Sequence, residues 1–222
     1  MPQARDMIIT LSGAKGGTGK STLAVHLGAE WAARGKRVLV VDADPQGTAI
    51  TWGEVRAASG RDKPTVIPTG DNVRQAVADI APGFDVVLID TAGRQSKRLV
   101  GALSISELAL MPCQPSGPDI WALQGSLDTV REVQELRPDL RAAIVVNGEN
   151  RTKLSASARQ ALDAMGVPVI GSLNRRTAIG EATTAGEGIT ERDARGAAAI
   201  EVRAVLDAIE TFMVGGRTAD VA

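Results

Sequence analysis

Met7-Ile8-Ile9-Thr10-Leu11-Ser12-Gly13-Ala14-Lys15-Gly16-Gly17-Thr18-Gly19-Lys20-Ser21-Thr22 passes from a short apolar run into glycines, and then into a helical pattern reaching about Arg34. A strand that empties through a glycine loop into a helix N-terminus is a ready phosphate cradle. Successive backbone N–H groups point inward, and the helix end adds positive potential. Gly16, Gly17, Thr18 and Gly19 supply the loop, and Lys20 is placed to reach the β- and γ-phosphates of a nucleotide. The Ser21 hydroxyl is the candidate Mg²⁺ ligand, with Thr22 the weaker alternative beside it. The strict form of this motif wants glycine at position 14, where the chain has alanine, so the pattern present is K-G-G-x-G-K-[ST]. Lys20 suffices for its own nucleotide. Lys15 is therefore either a solvated loop charge or a group that serves another nucleotide.

Outward from the loop, short β-branched runs alternate with longer helical segments. Met7–Leu11, Val38–Asp42, Asp85–Asp90, Leu108–Pro112, Arg141–Val146 and Val167–Ile170 read as strands, each nearly all apolar, as in strands covered on both faces. Asn72–Ala81, Asp119–Leu136, Ser155–Met165 and Ala194–Met213 read as helices. This alternation predicts a single doubly wound α/β domain with a mostly parallel central sheet flanked by helices, over residues 1–214. Gly215–Ala222 reads as a loose tail.

Composition narrows the function classes. One cysteine, Cys113, rules out a disulfide framework, a cysteine zinc site and a cluster ligand set, and fits a reducing cytoplasm. A net charge of -1 argues against a globally basic nucleic-acid coat but leaves room for local basic patches. No run reaches the ~18 apolar residues of a membrane span, and the polar start is unlike a signal peptide. With three Trp, two Phe and no Tyr, base-stacking platforms are not expected.

Two acidic strand ends follow. Asp42 and Asp44 close Val38-Leu39-Val40-Val41-Asp42-Ala43-Asp44-Pro45-Gln46, at the sheet edge where open α/β folds bind ligands. Val86-Val87-Leu88-Ile89-Asp90 has the Walker B form, four apolar residues ending in an aspartate that holds the Mg²⁺ shell. The alternative for Asp42 and Asp44, capping the helix that starts near Thr48, needs only one of them.

The doubled lysine and these carboxylates resemble the ParA/MinD branch of P-loop ATPases, with its deviant Walker A motif. The likeness spans nearly the whole chain and is strongest over residues 7–50 and 84–93. It implies that Lys15 reaches across a nucleotide-sandwich homodimer to the partner's phosphates, and that Asp44, in a D-x-D-P-Q string, positions the attacking water. It implies a strand-end Asp42 that contacts Mg²⁺ indirectly or braces the loop, and an Asn147 that contacts adenine. ATP is preferred over GTP because Thr152-Lys153-Leu154-Ser155 has serine where a guanine reader has aspartate. Thr91-Ala92-Gly93-Arg94 departs from the family's D-x-P-P. Gln114-Pro115-Ser116-Gly117-Pro118-Asp119 resembles the proline-rich loop of small ParA proteins, or simply starts the next helix.

Absent cysteine pairs and the weakly basic, glycine-broken end at Phe212–Asp220 turn the resemblance away from cluster-bearing reductases and membrane-bound MinD-like members. What remains implies nonspecific DNA binding by the ATP-bound dimer, through Arg175, Arg176, Arg192, Arg195 and Arg203, with Arg151, Lys153 and Arg159 as a second basic face. A ParB-like or small cargo-adaptor partner that stimulates hydrolysis is implied too, as are a cytoplasmic, nucleoid-associated location and a short form without an operator-reading extension. The rivals are a membrane-positioning ATPase and a metabolic phosphotransferase.

Overall fold

Runs such as Val38–Asp42 and Val86–Asp90 carry no polar residue before their last position, so neither face of these strands can be left to water. A computed structural model of the chain, describing residues 7–13, 15–93, 96–149 and 153–215, covers both faces with helices. In chain order the elements are β1 (Met7–Leu11), α1 (Lys20–Ala33), β2 (Val38–Asp42), α2 (Thr48–Ala58), β3 (Thr65–Pro68) and α3 (Val73–Ile80). β4 (Val86–Asp90), α4 (Lys97–Leu103), β5 (Leu108–Cys113), α5 (Gly117–Leu136), β6 (Arg141–Glu149) and α6 (Lys153–Asp163) follow. β7 (Val169–Asn174), α7 (Thr177–Thr184), α8 (Ile189–Arg192) and α9 (Ala197–Gly215) complete the described chain. The strands form a single seven-stranded sheet, in the order β3-β2-β4-β1-β5-β6-β7, and every pairing is parallel.

Alternate residues of each strand feed opposite cores. Ile9, Leu11, Val86 and Leu88 meet Leu27 and Trp31 of α1 and Val202 and Leu206 of α9. On the other face Met111, Ile144 and Val146 pack on α5, while Val41, Val87 and Ile89 pack on α3. Among the described residues, no helix is long and apolar enough to cross a membrane. Of the proposed tail only Gly215 is described, as the last residue of α9; the remainder lies outside the described residues.

The structure adds β3, α4, α7 and α8 to the elements read from the sequence. β3 is a four-residue edge strand with little burial, too short to show a period. β7 starts two residues later than its apolar run and continues to Asn174. Gly171 hides this continuation, yet the glycine is needed: a Cβ there would lie 2.9 Å from the Val205 side chain of α9.

His26 ties α1 to the α7–α8 corner. Its Nδ1 accepts from the Ile189 N–H at 3.0 Å, so Nε2 carries the proton and faces the Thr183 hydroxyl at 3.0 Å. Burial pushes the imidazole down from 6.5 to about 4. The unfolded chain therefore takes up a proton below pH 6.5 while the folded chain does not, and stability falls as pH drops from about 6.5 toward 4. The full loss attributable to His26 is about 3 kcal/mol. Urea unfolding of wild type and His26→Gln between pH 7.5 and 4.5 measures it. The gap between the two proteins should narrow on acidification, and a constant gap would refute the assignment.

Candidate nucleotide site

The parallel register places Leu11, Asp90 and Asp42 side by side at the carboxyl edge of three adjacent strands. The glycine loop leaves β1 at that edge and turns into α1 through Gly17 (φ 80°) and Gly19 (φ 97°), conformations that strain any residue with a side chain. Gly19 also has no room for one, because a Cβ would run into the Asn147 carboxamide.

The loop's carbonyls are held from outside. Asn147 Nδ2 donates to Thr18 O at 2.7 Å, Gln114 Nε2 to Gly17 O at 2.8 Å, and Lys20 Nζ to Lys15 O at 3.1 Å. With the carbonyls engaged, the N–H groups of residues 16–21 are what the loop can offer an anion. The sequence marks Gln114 only as the start of a proline-containing loop; its place one residue past β5, as Asn147 sits at the end of β6, was the available signal. Gly93 is a second unanticipated support. A Cβ there would lie 2.6 Å from both Gly16 N and the Lys15 carbonyl carbon, so the segment after β4 rests directly on the loop.

The carboxylates differ in what they are free to do. Asp42 is committed: its Oδ1 accepts from Asp44 N at 3.0 Å and its Oδ2 from Ile50 N at 3.0 Å, which fixes the turn that carries Asp44. Asp44 is half-buried, with Oδ1 accepting from Gln46 N at 2.9 Å. Asp90 is fully buried, and neither of its oxygens has a hydrogen-bond partner. Burial, opposed by the neighbouring Ser21 hydroxyl and by Lys20 and reinforced by Asp42 and Asp44, pushes it up to about 7. Burial also lowers Lys20, against the pull of Asp90 and Asp44. An unpartnered buried carboxylate beside the first turn of a phosphate-loop helix fits a divalent cation, whose binding would displace the proton. Ser21, half-buried in that turn, is the companion ligand. Among the described residues no group of three or more His, Cys, Asp or Glu could hold a metal alone, so nucleotide oxygens and water would complete the shell.

Lys15 stands apart from the cradle. Its Nζ pairs with Asp119 Oδ1 at 2.9 Å, and the lysine side chain is 47% exposed against 6% for the aspartate. Ser116, the cap of α5, holds the other Asp119 oxygen. Beneath this pair lies Cys113, buried, its thiol pushed up to about 12 by burial and by Asp119.

The basic candidates are scattered in their commitments. Arg175 and Arg195 are exposed. Arg176 pairs with Glu201 at 2.6 Å, Arg192 with Glu187 at 2.9 Å, and Arg203 with Glu30 at 3.3 Å. Arg176 and Asn174 share Glu201, which ties the start of α9 to the carboxyl end of β7. Of the second basic face, Arg159 pairs with Asp163, while Arg151 and the Lys153 side chain lie outside the described residues, as do Ala14, Arg94 and Thr152.

Because Gly93 abuts the loop backbone, Gly93→Ala should displace Lys15 and Gly16 and weaken ATP binding on the order of ten-fold, ~1.4 kcal/mol. Gly83→Ala, where a Cβ meets nothing within 4 Å, should leave affinity unchanged. Titration with a fluorescent ATP analogue separates the two, and equal affinities would show that the Gly93 contact is not needed.

Comparison with known proteins agrees with this geometry. Residues 9–189 match the model of the CobQ/CobB/MinD/ParA nucleotide-binding domain. The chain is 28% identical over 216 residues to the maintenance of carboxysome distribution protein A of Halothiobacillus neapolitanus, covering 94% of this chain and 99% of the relative. It is 31% identical over 195 residues to the chromosome-partitioning ATPase Soj of Thermus thermophilus, covering 74% and 78%. The solved structure of the septum site-determining protein MinD with Mg-ADP, from Pyrococcus horikoshii, superposes with a TM-score of 0.74 at 18% identity over 94% of this chain and 97% of that one. Fold, phosphate loop, acidic strand ends and these matches agree: the chain belongs to the ParA/MinD family of P-loop ATPases.

Proposed function

We propose that this protein is an ATPase that closes into an ATP-sandwich homodimer, binds DNA nonspecifically in that form, and positions a cargo through partner-stimulated hydrolysis. The observation that carries the reading is the divergence of the two loop lysines. Lys20 is buried and turned into its own loop, whereas Lys15 is half-exposed and bonded outside the cradle. A lysine so placed is free to serve phosphates other than its own.

In this reading the loop N–H groups and Lys20 hold the β- and γ-phosphates, and Gln114 and Asn147 keep the loop shaped for them. Ser21 and Asp90 would hold Mg²⁺, which would supply positive charge to offset the negative charge that develops on the transferred phosphoryl group. Asp44 accepts a hydrogen bond from the attacking water and sets its line of approach, while the Asp42 bonds keep Asp44 in place. Lys15 leaves Asp119 and stabilises charge on the partner's nucleotide, as an inserted cation does in related phosphoryl transfers. Arg175 and Arg195 give the exposed positive charge for DNA phosphates, with Arg176, Arg192 and Arg203 contributing beside their carboxylates; such contacts bind without reading sequence. The relatives named for carboxysome distribution and chromosome partitioning favour a large body as cargo, and in this reading it is moved over the nucleoid in the cytoplasm by way of an adaptor.

Sedimentation of wild type, Lys15→Gln and Lys20→Ala with Mg²⁺ and ATP tests this. Lys20→Ala should lose nucleotide binding. Lys15→Gln should bind ATP yet stay monomeric, with its hydrolysis in the presence of DNA reduced on the order of 100-fold or more. A Lys15→Gln protein that dimerises and hydrolyses like wild type would sink the proposal. Stoichiometric phosphate transfer to a small acceptor would do so as well.

A further inference from the structure

The chain has three tryptophans, and they are treated very differently. Trp31 and Trp52 are 0% and 2% exposed, whereas Trp121 is 76% exposed on the second turn of α5. Indole is costly to leave in water, and contact surfaces use it because it supplies a large rigid area at little entropic cost. α5 begins at the carboxyl edge of the sheet, just after β5 and Ser116. Helical side chains lean toward their own N-terminus. The Trp121 ring does so, lying over Gly117, where an added Cβ would be 3.7 Å from Cζ2. The ring is thus carried toward the edge at which the phosphate loop opens. Two residues earlier on the same helix, Asp119 holds Lys15.

We infer that Trp121 is an anchor of the contact between two copies of this chain, packing against the partner's α5 when nucleotide closes the dimer. This rests on the dimer reading above and adds a residue and a surface to it. Two features select a second copy as the occupant. A two-fold contact brings each group close to its own counterpart, so like charges would repel there. Residues 117–127 contain no charged side chain other than the buried Asp119. The same face also sets a protruding ring beside a position that has no side chain. Trp121 protrudes, and one turn later Gly125 leaves open space, with nothing within 4 Å of where a Cβ would sit. Each ring can therefore settle over the other copy's Gly125. The patch is continuous with Lys15, the residue that crosses between copies in the proposed dimer.

Acrylamide quenching of the full-length protein reads the ring directly, because the difference between wild type and Trp121→Phe isolates the exposed indole from the two buried ones. With Mg²⁺ and ATPγS, at concentrations where sedimentation reports a dimer, the Trp121 component should fall toward the quenching of the buried pair. It should recover on dilution to monomer. Trp121→Ala should weaken dimerisation on the order of ten-fold or more, with monomer ATPγS affinity unchanged and Trp121→Phe intermediate. If the dimer forms with Trp121 still fully quenched, or if Trp121→Ala dimerises like wild type, the inference fails while the dimer reading stands. If ATPγS produces no dimer at all, both fall.

Discussion

Everything at the site depends on the parallel pairing of β1, β4 and β2. That register sets Leu11, Asp90 and Asp42 in one row at one edge of the sheet. Once the row exists, the chain leaving β1 must turn within a few residues to enter α1, and the turn exposes its amides where the acids converge. The arrangement carries a tension. Asp90 sits in a dry environment without a partner, and Lys20, the nearest cation, is itself held down by burial. A cation and a polyphosphate answer both needs at once, so unfavourable burial in the bare protein becomes binding preference.

The supports of the loop follow a shared logic. Gln114 and Asn147 stand at the ends of adjacent strands and each spends an amide donor on a loop carbonyl. Gly93 contributes by having no side chain, letting the backbone after Asp90 lie against Lys15 and Gly16. The loop is therefore gripped from the carboxyl ends of three strands, β4, β5 and β6, and a shift in any of them reaches the phosphate position. Arg98 extends the contact, since from α4 it reaches the carbonyl of Ala43 between Asp42 and Asp44.

Much of this is legible in the sequence because buried parallel strands have a simple signature, and because the loop, Asp42, Asp44 and Asp90 sit at strand ends. Those residues are local features, each set by its own few neighbours. Two kinds of feature are not legible. Short or exposed elements such as β3 and α4 lack the length to show a period, and Gly171 in β7 reads as a break because its reason, Val205, lies on a distant helix. Contacts between loops are equally hidden: nothing near Lys15 in the chain announces Asp119, and nothing near Gly19 announces Asn147. The arginine candidates show the same limit, since pairing with Glu201, Glu187 and Glu30 is a property of the folded surface.

Cys113 has a practical consequence. It is buried, and its thiol is held near 12, so almost no thiolate exists at neutral pH to meet an electrophile. Maleimides and mild oxidants should pass the native chain by. A cysteine introduced at an exposed position would then carry a dye or spin label alone, and the wild-type background already has the silence that labelling usually requires engineering to create.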